Sequence, residues 1–99
     1  MHSIYHIMIL TDYRVIDYIY LLLMYMASTP TKLRIAFGKR VRLLRHTREL
    51  TQEELAEHAD VHRTYISAIE RGEQSVSIDN AAKIAKVLKV SLSELFKGL

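Results

Sequence analysis

The residues TQEELAEHADVHRTYISAIERG, Thr51 to Gly72, read as two short helices around a tight turn. Thr51 opens the first. Its hydroxyl is placed to accept the backbone N–H of Glu54, whose side chain can reach back to the N–H of Thr51, a reciprocal capping box. Leu55, Ala56 and Ala59 then share one helical face. Ala59-Asp60-Val61 breaks the helix, with Val61 as the apolar anchor of the turn and Asp60 or His62 as a weak cap for the next one. In the second helix, Arg63 to Arg71, Ile66 and Ile69 turn inward. Arg63, Thr64, Ser67 and Arg71 face out, with Tyr65 beside them.

A two-helix unit of this size, with polar residues at the start of its second helix, is a helix-turn-helix pattern. The chain around it is short. Ninety-nine residues allow one domain and one modest core. No cysteine is present, so neither a disulfide framework nor a thiolate metal site is available. The net charge of +3 is unevenly spread. Residues 1–30 carry −1, whereas residues 31–99 hold 13 Lys/Arg against 9 Asp/Glu, a net +4. A basic surface suggests a polyanionic partner, although many small proteins carry such a charge without one.

The first 26 residues, MHSIYHIMILTDYRVIDYIYLLLMYM, differ in kind. They hold five of the six tyrosines and no lysine. The longest uncharged apolar run, Tyr18 to Ala27, has ten residues, about half of a membrane-spanning helix. Asp12 and Asp17 stand where a secretion signal would need positive charge. We therefore expect neither a membrane anchor nor a signal, and a cytoplasmic protein. Three readings remain: an amphipathic element used for dimerisation, a strand-forming segment favoured by Ile and Tyr, or an extension foreign to the native protein. The last is preferred, because Met26 directly precedes the polar linker Ala27-Ser28-Thr29-Pro30-Thr31. Residues 1–30 are thus an apolar extension and linker, and residues 31–99 the folded domain.

Pro30 restrains its neighbour from helix. Lys32–Arg48 is then a helix in which Phe37, Val41 and Leu44 form one buried stripe, with Ile35 and Leu50 near its ends. Gly38 is a soft spot in it. Seven bases and no acid occupy this helix: Lys32, Arg34, Lys39, Arg40, Arg42, Arg45 and Arg48. They form either a solvated face or one turned toward phosphates. Gly72 stands where a helix end wants a positive φ. Ser77 caps a helix Ile78–Lys89 with Ile78, Ala81, Ile84, Ala85 and Leu88 inside. Ser91-Leu92-Ser93-Glu94 reads as a second capping box, opening a last helix whose apolar side is Leu92, Leu95 and Phe96. Surplus apolar side chains there suit a dimer seam.

The helix order and the quoted stretch resemble the Cro/C1-type, or XRE, family over about Phe37 to Phe96. Gln52, Leu55-Ala56, Ile66 and Ile69-Glu70-Arg71-Gly72 carry the likeness. HRTYISAIERGEQSVSIDNAAKIAKVL, with RTYIS, ERG and VS-I-N in order, is similar more narrowly to controller proteins of restriction–modification systems. Asp60 departs from the family's usual glycine, but Asp tolerates the left-handed conformation better than most residues. The resemblance implies an all-α, five-helix, lambda-repressor-like domain behind an atypical apolar extension. It also implies roles. Arg63, Thr64, Tyr65 and Ser67 fall on base-contacting positions, and Arg63 can pair with guanine O6/N7, worth roughly 1–3 kcal/mol of discrimination. Ala68 occupies another such position but is too short for polar readout. Gln52, Arg71, Arg40 and the backbone of Ser75 and Val76 would hold phosphates. Arg45 and Glu70 match a structural ion pair, and Glu53 and Glu57 match acids that touch RNA polymerase in activating members.

Other chemistries find little support. His58 and His62 straddle the turn and do not share a helix face, and a zinc site needs more ligands. No nucleophile motif or glycine-rich phosphate loop appears. We expect a non-enzymatic regulator without cofactor or metal. It would bind double-stranded DNA as a homodimer on a pseudo-palindromic operator, with RNA polymerase as a second partner, as an autoregulating restriction–modification controller. A phage-type repressor, an antitoxin, or a protein-interaction module on the same fold are the alternatives.

Overall fold

The computed structural model describes residues 13–27 and 30–99. Six helices follow one another: α1 Tyr13–Ala27, α2 Lys32–Thr47, α3 Gln52–His58, α4 Arg63–Glu70, α5 Ile78–Leu88 and α6 Leu92–Leu95. No strand occurs among the described residues, and no helix among them is long and apolar enough to cross a membrane. The strand reading of the extension is corrected over 13–27, which is helical. Residues 1–12, which the extension also includes, lie outside the described residues.

Each helix of the C-terminal part begins at a side-chain cap. Hydroxyls of Thr31, Thr51, Ser77 and Ser91 accept the N–H three residues on, at 3.0 to 3.1 Å. Such caps contribute about 1 kcal/mol each. At α3 the capping box is complete, since the Thr51 N–H donates to Glu54 Oε1 at 3.0 Å. Bonds from the Thr51 backbone and hydroxyl hold the Glu54 carboxyl below the usual carboxylate range. At α6 only half of the expected box forms. Ser91 caps, while the Glu94 carboxylate turns to Arg40 at 3.3 Å.

Four helices also end alike. Glu49, Asp60, Gly72 and Lys89 all adopt positive φ, between 55° and 75°. In each case the next N–H bonds five residues back: Leu50 to Arg45, Val61 to Ala56, Glu73 to Ala68 and Val90 to Ala85. This is the Schellman motif. Leu50, Val61 and Val90 then pack on the core from just beyond the helix end. Only one of the four turns uses glycine.

The core is shared by α2 to α6. Val41, Leu55, Ile66, Ile84, Leu88 and Leu95 are fully enclosed. Ile78 is not part of it. Standing first in α5, it is 76% exposed, because the inward stripe begins only at Ala81. Gly38 sits where α2 crosses α4. A Cβ there would lie 2.3 Å from the Ile69 carbonyl oxygen and 2.8 Å from that of Glu70. Its lack of a side chain lets the two helices touch through backbone. In α1, Val15, Tyr18, Ile19, Leu22 and Leu23 are exposed.

Candidate nucleic-acid interface

The site is built on the turn between α3 and α4. Asp60 N–H bonds Glu57 O at 3.2 Å and Val61 N–H bonds Ala56 O at 3.0 Å. The chain thereby reverses in three residues, with Asp60 at φ 55°. His62 caps α4 through its ring. Its Nδ1 accepts the Thr64 N–H at 3.1 Å and lies 2.6 Å from the Thr64 hydroxyl oxygen. Arg63 and Thr64, in the first turn of α4, are exposed. Arg63 has no hydrogen bond or ion pair within the described residues.

The opposite end of α4 is buried. The Glu70 side chain is 0% exposed and accepts four bonds. Oε2 takes Arg45 Nε at 2.7 Å, and Oε1 takes Arg45 Nη2 at 2.9 Å, Gln52 Nε2 at 3.1 Å and Arg42 Nε at 3.3 Å. Burial pushes the Glu70 carboxyl up. The bonds from Arg45, Gln52 and Arg42, with the charge of Arg45, outweigh it and hold the group below the usual carboxylate range. The bond to Glu70 raises the Arg45 guanidinium in turn, against desolvation. Glu70 thus pins α4 to α2 and to the start of α3 at once.

The basic run of α2 is not one uniform face. Arg45 Nη1 donates to Leu50 O at 2.8 Å, Arg48 Nε to Leu88 O at 3.0 Å, and Arg40 to Glu94 O at 2.9 and 3.1 Å. Three guanidiniums are used on carbonyls left over at helix ends and turns. Arg40, expected at a phosphate, donates its Nε and Nη2 to Glu94 and so holds α6 against α2. Charge density alone gave no sign of it, since a guanidinium serves a carbonyl as readily as a phosphate.

Other predicted residues fall as follows. Tyr65 is half-buried on the core, and its hydroxyl accepts from Asn80 Nδ2 at 3.1 Å. Sequence reasoning did not assign Asn80 a role, although RTYIS and VS-I-N stand in the same motif series. Ser67 is half-buried and takes a bond from Arg71 Nη1, while Arg71 also pairs with Glu73 at 3.0 Å. Gln52 is half-buried, and its carboxamide is oriented by Glu70. Ser75 is exposed, and Val76 packs partly on the core. Glu53 and Glu57 are both exposed. Of the expected dimer seam, Leu95 is corrected: it is fully enclosed in the core. Leu92 is 37% exposed, and Phe96 is 42% exposed though stacked on Phe37 at 5.4 Å.

The helix-turn-helix family model matches residues 41–95. Control protein C.BamHI of Bacillus amyloliquefaciens is 48% identical over 64 residues, covering 64% of this chain and 79% of that protein. Control protein C.MunI of a Mycoplasma species is 41% identical over 68 residues, covering 68% and 92%. The crystal structure of the restriction–modification controller protein C.AhdI from Aeromonas hydrophila superposes with a TM-score of 0.63 at 40% identity, over 64% of this chain and 96% of that one. With an exposed polar helix start held on a rigid two-helix unit, this chain belongs to the XRE family of Cro/C1-type helix-turn-helix proteins, which are DNA-binding transcription regulators and not enzymes.

Proposed function

We propose that this protein is a homodimeric, operator-binding regulator that autoregulates a restriction–modification operon. The observation that carries this reading is the contrast along α4, exposed and unpaired within the described residues at Arg63, buried and fourfold bonded at Glu70. A helix braced in this way can present its first turn to base edges in the major groove. Arg63 and Thr64 specify in this reading. Gln52, Arg71 and the Ser75–Val76 backbone position the domain on phosphates. Ser67 and Tyr65 reach the backbone or a thymine methyl beside them. The two control proteins to which the chain is similar support the controller reading over a phage-type repressor or an antitoxin.

Two copies would set α4 in successive major grooves about 34 Å apart, so the operator is a pseudo-palindrome. Leu92 and Phe96, exposed at the end of the domain, are the dimer seam in this reading. Occupancy rises with dimer concentration, giving activation at low levels and repression at high ones. Glu53 and Glu57 are exposed at i and i+4 on α3 and offer RNA polymerase an acidic patch during activation. Residues 26–99 suffice for folding and DNA binding in this reading.

The test is binding to DNA from upstream of the protein's own gene against a scrambled duplex, at two salt concentrations. Tight, salt-dependent binding that is lost on scrambling supports the reading. Equal weak binding to both leaves only the electrostatic contribution and overturns it. Activation that survives Glu53→Ala with Glu57→Ala would remove the polymerase contact.

A further inference from the structure

We infer that Arg42 is a phosphate-binding residue, and that Glu70 aims it beside Gln52 as one half of a two-residue clamp. This rests on the DNA-binding reading above and names a contact that it does not contain.

Two arginines of α2 share the Glu70 carboxylate, and they differ. Arg45 is buried and spends all its nitrogens: Nε and Nη2 on Glu70, Nη1 on Leu50 O. It alone neutralises Glu70 with two bonds. Arg42 supplies only Nε, at 3.3 Å, and its side chain is 52% exposed. Neither of its Nη nitrogens has a partner within the described residues. The cluster of two guanidiniums and one carboxylate therefore carries one surplus positive charge. Since Arg45 and Glu70 are enclosed, that charge stands at the surface on Arg42.

The bond to Glu70 costs Arg42 little stability elsewhere and gives it direction. A long ion pair with one partner half exposed contributes little, about 1 kcal/mol or less. Holding Nε, however, fixes the plane of the guanidinium and leaves the Nη pair as an outward fork, the geometry that matches two phosphate oxygens. Part of the ordering cost of binding is already met before DNA arrives. Position is set by the same atom. Glu70 Oε1 receives both Arg42 Nε and Gln52 Nε2, so the fork emerges next to the carboxamide at the start of α3. A carboxamide nitrogen has a second hydrogen to offer. Two donors from different helices then converge on one phosphate, flanking the helix whose other end reads bases.

The experiment compares the full chain with Arg42→Ala, Arg42→Lys and Arg63→Ala on the upstream and scrambled duplexes across a salt series, with thermal melts of each. Arg42→Ala is expected to weaken both duplexes alike, about three- to tenfold, and to lower the salt slope by about one, with the preference for the upstream duplex unchanged. Its melting midpoint stays close to that of the parent. Arg42→Lys restores the slope, because it keeps the charge, and only part of the affinity, because it lacks the fork. Arg63→Ala loses preference instead. If Arg42→Ala binds both duplexes with the parent's affinity and slope, the clamp is refuted while the DNA-binding reading stands. If the parent itself binds neither duplex, both fail. A purely structural Arg42 would lower the melt without moving the salt slope, and that result also refutes the clamp.

Discussion

At its C-terminal end α4 carries Glu70, fully buried, accepting four bonds from three side chains of α2 and α3. At its N-terminal end, seven residues earlier, it carries Arg63, exposed and unpaired within the described residues. The two ends of one short helix thus divide two tasks. A buried, oversupplied carboxylate fixes where the helix lies. An uncommitted cation at the other end can exchange water for a ligand without disturbing that placement. Base readout needs both, because a side chain discriminates only when its own base is held within fractions of an ångström.

The largest break in this contrast comes from Glu70→Ala. It leaves Arg45 buried without its counter-charge and should cost about 3–5 kcal/mol of stability, read by urea denaturation. The same carboxylate makes stability acid-sensitive. Its folded pKa lies below the unfolded value of about 4.3, so its contribution is complete above that value and is lost as pH falls through the lower folded pKa. Melts of the parent should therefore fall below about pH 4 more steeply than those of Glu70→Gln. Next is Gly38→Ala, which drives a methyl into the Ile69 and Glu70 carbonyls and should cost about 1–3 kcal/mol, again by denaturation.

At the other end, Arg63→Ala should leave the melt unchanged. It should cost roughly 1–3 kcal/mol in binding to the upstream duplex and little on the scrambled one, by titration. An Arg63→Ala variant that melted early would erase the division of tasks. The smallest effect is Asp60→Gly. Relief of the left-handed conformation at φ 55° should raise stability by up to about 1 kcal/mol, with binding unaltered. Gly72 at the far end of α4 admits no reverse exchange. It has φ 75°, and a Cβ would lie 2.7 Å from Ile35.

Much of the fold was legible locally. Thr51 with Glu54, Ser77 before Ile78 and Gly72 after Arg71 are short-range signals, and the structure meets each where the spacing predicts it. The basic run of α2 was legible only as charge. Which arginines serve carbonyls depends on partners 5 to 54 residues away, at Leu50, Leu88 and Glu94. Leu95 and Ile78 misled for a related reason. In helices of four and eleven residues, the first and last apolar positions can turn either way.

Sequence by itself determined the five helices of residues 31–99 and the caps at Thr51, Ser77 and Ser91. All of these follow from residues within about four positions of one another, where backbone hydrogen bonds and helical periodicity act. Tertiary structure alone decided that Gly38 is a contact between helices, that Tyr65 meets Asn80, and that Arg42 and Arg45 part company on one carboxylate. Those outcomes depend on how α2 crosses α4, and a crossing is set by the whole packed core.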